Sequence, residues 1–389
     1  MLWGAPLPER VAPPALAQAL LERALISSPA NPLLHSKLGH LQLDRKDYRS
    51  AADSFAAALR LGDGGADTRM LLARCWNYLH RHREVLAILA ELEAPSFQRG
   101  RALMELGDLE AAEREFRAVL AVDPDDPSCC RMLCRLLRND NRVTELVAAC
   151  EDLAERGATN AQLLYNWGWA LALAGDHERA RRLMVEPDRI ARLKVGPPAT
   201  FADIGSFNAA LAKEIMTNPN KITNFPQEDE ANRGSCRVEN LFAGRGTDLI
   251  DLLLRTVEAV VAGWNPAARP GFDPWPRARP AAARLLSWGL IQRRGEYEEG
   301  HIHPNGWLSG VYYVKVPSIV SAAGRGPGCI EFEAPSAVAR AMPELAPTRR
   351  YVPEEGMLIL APSHYQHRTI ASGVDEYRIS LAFDVVPVR

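Results

Sequence analysis

The sequence predicts a two-domain α+β protein, in which an all-helical repeat domain is followed by an antiparallel β domain with buttressing helices. Its 389 residues are enough for two domains, each with a buried core. Up to about residue 190, Ala, Leu, Arg and Glu recur at helical spacing. Beyond that point, short apolar runs rich in Val, Ile and Tyr are separated by Pro- and Gly-rich stretches, which is typical of strands.

The composition is that of an ordinary globular chain and argues against two kinds of partner. Its 46 basic and 48 acidic residues give a formal charge of -2, too balanced for nucleic acid or an anionic membrane bound through charge. No apolar run reaches the roughly 18 residues of a spanning helix, and the first residues lack a signal-peptide pattern. We therefore expect a cytoplasmic protein without a membrane anchor. The seven scattered cysteines fit no disulfide framework, and Cys129, Cys130, Cys134 and Cys150 are expected to be buried thiols in helix cores.

The helical half repeats with a period close to 34 residues. The small residues that mark the period, spaced 34, 27, 34 and 34 apart, are Gly39, Ala73, Gly100, Cys134 and Gly168. Aromatic residues follow two of the glycines by 16 positions, at Phe55 and Phe116. This frame resembles the tetratricopeptide repeat, whose small residues let two helices cross closely. The resemblance implies about five repeats over residues 1–190, with a capping helix before the first and one trimmed helix or turn near ELEAPSFQ.

The sequence alone does not determine the function of such a repeat array. Its concave face is suited to an extended peptide or a partner domain, and the array can equally brace the following domain or form a homodimer. A fold alone does not choose between these roles.

The second domain is predicted over residues 191–389. Pro197 and Pro198 break helices and mark the transition. Helical periodicity then covers 204–216 and 247–264. The five apolar runs read as strands are RLLSWGLIQ, WLSGVYYVKV, CIEFEA, GMLILAP and RISLAFDVVPV. Two helices followed by at least five strands fit a jelly roll with helical buttresses.

Three histidines of this domain have the character of metal ligands. His301 and His303 are two residues apart, so in an extended strand their rings project from the same face. His367 follows an apolar strand and can supply a third imidazole. Neutral imidazoles suit Fe, Cu, Zn or Ni, so the residues leave the metal open. Taken alone, a His-x-His pair is more commonly a surface pair.

The sequence around these histidines resembles a bacterial family of Fe(II)- and 2-oxoglutarate-dependent oxygenases. The segments that carry the resemblance are GHIHP, SGVYYVKVP, APSHYQH and YRISLAF, in the order H-x-H-P, S-G-V-Y-Y, P-S, distal His and R-x-S. The resemblance covers about residues 200–389. It implies a jelly roll of the double-stranded β-helix type, with Fe(II), 2-oxoglutarate and dioxygen as cofactor and cosubstrates.

The resemblance also assigns the metal ligands. It makes His301 and His367 two of them, and it puts His303 where most of the superfamily has an acidic residue. His303 is therefore expected to be the third ligand. The alternative is that His303 lies behind the ligands, with Glu299 or water completing the site. His364, three residues before His367, is the fourth and weakest candidate ligand, because its ring can equally point outward.

The same pattern assigns a place for the cosubstrate. Arg378 corresponds to the basic residue that binds the distal carboxylate of 2-oxoglutarate, and Ser380, on the same face of its strand, would add a hydrogen bond. The alternative partners of this arginine are structural carboxylates at Glu331 or Glu333. The residues expected on adjoining strands, in contact with the cosubstrate or lining the pocket, are Tyr313, Gln292 and Trp288.

The function implied by the resemblance is oxidative decarboxylation of 2-oxoglutarate coupled to hydroxylation of an unactivated C–H bond. The expected substrate is a peptide, a protein or a small amino-acid-derived molecule, which the helical repeats would help to bind. Two alternatives stay open. One is a three-histidine metal-dependent dioxygenase that does not use 2-oxoglutarate, and the other is a non-catalytic repeat scaffold with a relic barrel.

Overall fold

The computed structural model describes residues 14–223, 231–239, 241, 248–322, 326–344 and 347–388. These residues form two compact units, which divide between Asp140 and Asn141. The division falls within the helical part, ahead of the boundary expected near residue 190, so the domain limits 1–190 and 191–389 remain a prediction. Among the residues in these ranges, no helix is long and apolar enough to cross a membrane.

The first unit consists of helices at the spacing of the predicted repeats. They are α1 (Pro14–Ser27), α2 (Pro32–Asp44), α3 (Tyr48–Arg60), α4 (Ala66–Tyr78), α5 (His82–Ile88), α6 (Phe97–Glu105), α7 (Leu109–Val122) and α8 (Pro127–Asn139). Helices α2, α3, α7 and α8 begin after an Asn or Asp whose side chain accepts a backbone N–H. The two shortest helices of this unit, α5 and α6, lie on either side of residues 89–96, within which most of the segment expected to hold a trimmed helix or turn falls.

Small residues are required where the helices of one repeat cross. A Cβ atom at Gly39 would lie 2.8 Å from the ring of Phe55, and one at Gly100 would lie 2.5 Å from the ring of Phe116. Both rings are fully buried. The glycine and aromatic positions of the predicted frame therefore meet as the tetratricopeptide pattern requires.

The second unit contains the remaining helices and all the strands that the structure describes. Its helices are α9 (Val143–Glu155), α10 (Ala161–Leu173), α11 (His177–Leu183), α12 (Ile204–Met216), α13 (Asp248–Gly263), α14 (Pro274–Arg277), α15 (Ser318–Ala322) and α16 (Ser336–Ala341). A 3-10 turn, Pro187–Arg189, precedes the first strand. Helix α12 has the predicted bounds. Helix α13 matches the second predicted helix, whose first residue, Thr247, lies outside the described residues.

The strands pair only in the antiparallel sense and include every predicted run. They are β1 (Ala191–Lys194), β2 (Lys221–Ile222), β3 (Asn232–Arg233), β4 (Cys236–Val238), β5 (Ala283–Gln292), β6 (Tyr297–Glu298), β7 (Leu308–Lys315), β8 (Ile330–Phe332), β9 (Arg349–Tyr351), β10 (Met357–Pro362), β11 (His367–Thr369) and β12 (Arg378–Pro387). A seven-stranded sheet has the order β1-β10-β7-β12-β5-β4-β2, a three-stranded sheet the order β11-β8-β9, and β3 pairs with β6.

The larger sheet has two faces with different neighbours. On one face, Tyr312 of β7 donates a 2.7 Å hydrogen bond to Asn208 of α12, so this helix covers the sheet. The other face, which carries Arg378 and Ser380 of β12, lines a cavity closed on its far side by Ile330 and Phe332 of β8. Two antiparallel sheets that face each other, with helices behind the larger one, form the predicted jelly roll.

The packing between the two central strands gives a testable consequence. Gly310 of β7 lies opposite the fully buried Phe383 of β12, and a Cβ atom at residue 310 would lie 2.2 Å from the Phe383 ring. We expect Gly310→Ala to lower the free energy of unfolding by about 1–3 kcal/mol. Gly263→Ala, at a helix end with nothing within 4 Å, is the matched control and should not destabilise. Thermal unfolding measures both, and equal melting temperatures would contradict the packing.

Candidate metal centre

Three histidines converge at one point of the β domain, and backbone hydrogen bonds set their positions. His301 and His367 form an isolated antiparallel bridge, in which the two backbone N–H groups donate over 3.0 and 2.9 Å. The N–H of His303 donates to the carbonyl of Ser363 over 3.0 Å. The His-x-His segment is therefore not a strand of its own, as the sequence predicted, but a bridge residue followed by a turn.

A hydrogen-bond acceptor fixes the orientation of two of the imidazole rings. Nδ1 of His301 lies 2.7 Å from the carbonyl oxygen of Glu299, and Nδ1 of His367 lies 3.0 Å from that of Tyr365. Because a carbonyl oxygen only accepts, both Nδ1 atoms carry the ring proton. Both Nε2 atoms therefore present a lone pair, which is the form that binds a metal.

The remaining ring nitrogens point at one another. One ligand atom from each of His301, His303 and His367 lies within 4.8 Å of the other two. The Nε2 atoms of His303 and His367 are 3.2 Å apart. Two nitrogens bound at right angles to one ion, each at about 2.1 Å, would be roughly 3 Å apart. Two lone pairs at this separation repel unless a proton or a metal ion lies between them, so the cluster fits a metal ion.

Burial keeps two of these imidazoles neutral, as metal ligation requires. It lowers the pKa of His301 to about 3, and the neighbouring His303 adds to the effect. Burial also lowers the pKa of His367 well below its usual range, again with a contribution from the other two histidines. Both rings are thus available as ligands at neutral pH.

Two other residues that the sequence offered as ligands lie apart from the cluster. The side chain of Glu299 forms a 2.6 Å ion pair with Arg233. His364 is buried, as a core residue, and neither of its ring nitrogens has a hydrogen-bond partner among the described residues. Burial lowers the pKa of His364 to about 3. Neither residue belongs to the metal-ligand cluster found in the described part of the chain.

The three rings open onto a cavity of about 460 Å³ between the facing sheets. This volume is in the range of sites for small molecules. The expected site residues that line it together with the three histidines are Gln292, Tyr313, Arg378, Ser380 and Trp288. The structure thus brings the three proposed metal ligands and these five residues to one cavity.

Arg378 is a buried cation in the wall of this cavity. The residue is 4% exposed, and its Nη2 donates to the hydroxyl of Tyr313 over 3.4 Å. Its Nε has no hydrogen-bond partner among the described residues. A buried charge without a counter-ion is costly. The cavity is therefore suited to a ligand that brings an anionic group to this guanidinium.

The structural carboxylates considered as alternative partners of Arg378 are engaged elsewhere. Glu331 is fully buried and pairs with Arg350 and Arg368. Glu333 accepts a 3.1 Å hydrogen bond from Gln366 and lies 3.9 Å from Arg368. The alternative interpretation of Arg378 as half of a structural ion pair with either residue is therefore wrong.

Polar side chains on the two strands that pair with β12 lie close to the Arg378 guanidinium. Gln292 lies opposite Arg378, and Tyr313 lies opposite Ser380. Gln292 donates a 2.8 Å hydrogen bond to the hydroxyl of Ser235, which orients its amide. Since Arg378 donates to the oxygen of Tyr313, the phenolic proton remains available to a ligand. Burial raises the pKa of Tyr313, which keeps that proton in place.

Aromatic stacking supports one wall of the site. The rings of Trp288 and His303 are nearly parallel, with centroids 5.5 Å apart. The guanidinium of Arg237 lies 5.1 Å from the Trp288 ring on the same wall of the cavity. Sequence reasoning proposed Trp288 but missed Arg237, which precedes the strand-rich region and carries no motif.

Sequence reasoning also missed a carboxylate beside the cluster. Asp384 Oδ1 lies 2.7 Å from Nδ1 of His303 and accepts a 2.7 Å hydrogen bond from the hydroxyl of Ser309. Residues 378, 380, 382 and 384 alternate along β12 and all line the cavity. This period of two was the available signal, because it puts Asp384 on the face of Arg378.

Comparisons with known proteins match two family models to separate parts of the chain. Residues 286–384 match the family model described as "Putative 2OG-Fe(II) oxygenase", and residues 94–136 match the model described as "Tetratricopeptide repeat". The first range contains all seven residues proposed from the sequence for metal and cosubstrate. No curated protein matches the chain.

Solved structures similar to parts of the chain include two prolyl hydroxylases and a tetratricopeptide repeat protein. A prolyl-4-hydroxylase from Pseudomonas putida is 12% identical with a TM-score of 0.35, covering 52% of this chain and 94% of its own. A Trichoplax adhaerens prolyl hydroxylase, solved with a hypoxia inducible factor peptide fragment, is 12% identical with a TM-score of 0.36, covering 55% and 91%. The tetratricopeptide protein YrrB is 15% identical with a TM-score of 0.32, covering 42% and 88%.

The two family matches fall on the helical repeats and on the domain that contains the three histidines. The chain therefore carries tetratricopeptide repeats in its N-terminal part and a domain of the 2OG-Fe(II) oxygenase family in its C-terminal part.

Proposed function

We propose that the oxygenase domain is an Fe(II)- and 2-oxoglutarate-dependent dioxygenase that hydroxylates a C–H bond. The substrate class that we propose is a peptide, a protein or an amino-acid-derived molecule. The observation that carries the proposal is that one cavity holds three converging imidazoles and a buried arginine without a carboxylate partner among the described residues.

In this proposal His301, His303 and His367 hold the metal. Bound Fe(II) would allow dioxygen to oxidise 2-oxoglutarate to succinate and carbon dioxide, with one oxygen atom entering succinate and the other entering the substrate C–H bond. The protein supplies three ligands on one side of the ion. The cavity onto which these rings open would give the cosubstrates access to the ion.

Arg378 binds the distal carboxylate of 2-oxoglutarate in this proposal. A guanidinium can donate two parallel hydrogen bonds to a carboxylate, and burial strengthens such a contact. Tyr313 donates its free phenolic proton to the same group, and Ser380 lies beside it on the cavity face of β12. The ligand would in turn satisfy the Nε of Arg378, which lacks a described partner.

The cavity walls help to exclude water from the reaction. Apolar side chains from both sheets, among them Ile330, Phe332 and Ile359, line the space around the polar groups. A dry site strengthens the contact to Arg378 and protects reactive species from solvent. The repeats, for which we propose binding of a peptide or protein, would supply the substrate. The homodimer through the repeats remains a prediction.

The proposal is tested by succinate formation from 2-oxoglutarate with the full-length chain. We expect succinate to accumulate slowly without substrate, only when Fe(II) and oxygen are both present. His301→Ala should reduce the rate to the level without iron. Consumption of 2-oxoglutarate that is independent of Fe(II), or no consumption with any added peptide or amino acid, would contradict the proposed function.

A further inference from the structure

The proposed metal site has no carboxylate ligand, yet a carboxylate lies directly behind one of its histidines. Among the described residues, the cluster of possible ligands contains only imidazoles. Asp384 is 7% exposed, and its Oδ1 atom lies 2.7 Å from Nδ1 of His303. The far side of the same ring presents Nε2 to the cluster. His303 thus lies between a buried carboxylate and the place of the metal.

Two serines fix the direction of the hydrogen bonds to this carboxylate. Ser309 Oγ lies 2.7 Å from Asp384 Oδ1 and 2.8 Å from Ser363 Oγ. An ionised carboxylate only accepts, so Ser309 donates to Asp384 and Ser363 donates to Ser309. All three residues are buried. The chain of donors therefore ends on Asp384.

The turn that follows His303 is shaped to this arrangement. A Cβ atom at Gly306 would lie 2.4 Å from Ser363 Oγ and 3.4 Å from the Cβ of Asp384. The Gly306 N–H donates to the carbonyl of His303 over 3.2 Å, which closes the turn. A residue with a side chain would displace the serine, so the turn holds the ring and the carboxylate side by side.

We propose that Asp384 is the positioning residue of the metal site, and that it supplies through His303 the negative charge that a carboxylate ligand would otherwise supply. The inference rests on the proposed metal site. Three neutral imidazoles leave the full double charge of the ion uncompensated in a buried place, which is unfavourable. The ion, its three histidines and Asp384 together carry one net positive charge. An ion held by two histidines and one carboxylate carries the same net charge.

Asp384 also determines which nitrogen of His303 carries the proton. A carboxylate accepts from Nδ1, which leaves the Nε2 lone pair for the metal. An asparagine at residue 384 has the same shape, but its amide can turn so that the nitrogen faces His303, because Ser309 can accept as well as donate. The ring would then place its proton on Nε2, where it blocks ligation.

The test uses Co(II) as the probe and measures affinity and stoichiometry by calorimetry, together with the visible spectrum of the bound ion. We expect wild type to bind one Co(II). Asp384→Asn should bind it about 10–100-fold more weakly, the range found when outer partners of metal ligands are lost. Ser309→Ala, which removes one donor to Asp384 but no charge, should have a smaller effect.

A double variant separates positioning from folding. In His303→Asp with Asp384→Asn, the carboxylate moves onto the ion and the charge behind it is removed. We expect this protein to bind Co(II) more tightly than Asp384→Asn alone and to show an altered visible spectrum, since one nitrogen ligand becomes oxygen. A purely structural role of Asp384 predicts instead that the double variant binds no better than the single one.

The outcomes distinguish this inference from the proposed function. Wild-type affinity in Asp384→Asn would overturn the inference and leave the oxygenase proposal in place. If Asp384→Asn binds Co(II) more weakly than wild type, and the wild-type protein never consumes 2-oxoglutarate, the inference is supported and the oxygenase proposal is contradicted. A wild-type protein that binds no Co(II) would overturn both.

Discussion

Replacement of His301 or His367 with alanine is expected to abolish tight metal binding. Each residue offers a neutral Nε2 whose lone pair is fixed by a carbonyl at Nδ1, and the backbone bridge between them fixes their separation. Loss of a direct ligand should weaken metal binding by more than the roughly 100-fold seen when a residue that hydrogen-bonds to a ligand is lost. Calorimetric titration of each variant with Mn(II) or Co(II) measures the effect, and succinate formation should fall to background in parallel.

His364→Ala is the matched control for these variants. This histidine is three residues before His367 and lies outside the cluster formed by the described residues. Its replacement should leave metal affinity within about twofold of wild type, whatever it does to the melting temperature. If His301→Ala retained wild-type affinity, or if His364→Ala lost the metal to the same extent, the assignment of the ligands would be wrong.

Arg378→Ala is expected to remove 2-oxoglutarate affinity while metal affinity is retained. Hydrogen bonds to a charged group contribute about 1.5–3 kcal/mol, which corresponds to a loss of roughly 10- to 150-fold. Arg378→Lys keeps the charge but not the two parallel donors, so its affinity should lie between those of wild type and the alanine variant. Titration of the Mn(II)-loaded proteins with 2-oxoglutarate measures the three constants.

Arg284→Ala provides the control for the loss of an arginine. Arg284 is exposed on β5, a strand that also contributes to the cavity, but it does not line the cavity. Its replacement should change neither the affinity for 2-oxoglutarate nor that for the metal. A fall in metal affinity in Arg378→Ala would indicate that the site had collapsed, and unchanged 2-oxoglutarate affinity would remove Arg378 from the cosubstrate site.

Much of the fold could be predicted from the sequence because local patterns determine it. Helix α12 has the predicted bounds, and the run RISLAFDVVP forms the whole of β12. The repeat frame succeeded because the glycine and the aromatic residue of one repeat must touch, as Gly100 and Phe116 do. Such pairs are close in sequence, so their spacing is visible without a structure.

The residues that line the candidate site could be predicted from the sequence, but their spatial arrangement could not. Motif order identified His301, His367 and Arg378, because the resemblance carries those positions. The backbone bridge between the two histidines joins distant segments, so no local pattern indicates it. The expectation of a His-x-His strand therefore failed, although the rings converge as expected.

Contacts made across the barrel explain what the sequence did not reveal. Asp384 and His303 are far apart in the chain and meet through a 2.7 Å contact. The acidic residue within an apolar strand was visible, but its partner was not. Glu331 is a second example, because its ion pairs with Arg350 and Arg368 were not visible in the sequence. Since Glu331 pairs with these two arginines, Arg378 remains available to a ligand.

The most direct test of the account is the affinity of the wild-type protein for 2-oxoglutarate with and without Mn(II). If the ligand spans from the three histidines to Arg378 within one cavity, tight binding requires the metal, and the affinity should fall at least about tenfold without it, as expected when an interaction with a charged partner is lost. Equal affinities in the two conditions would contradict the account, because 2-oxoglutarate would then bind away from the histidines.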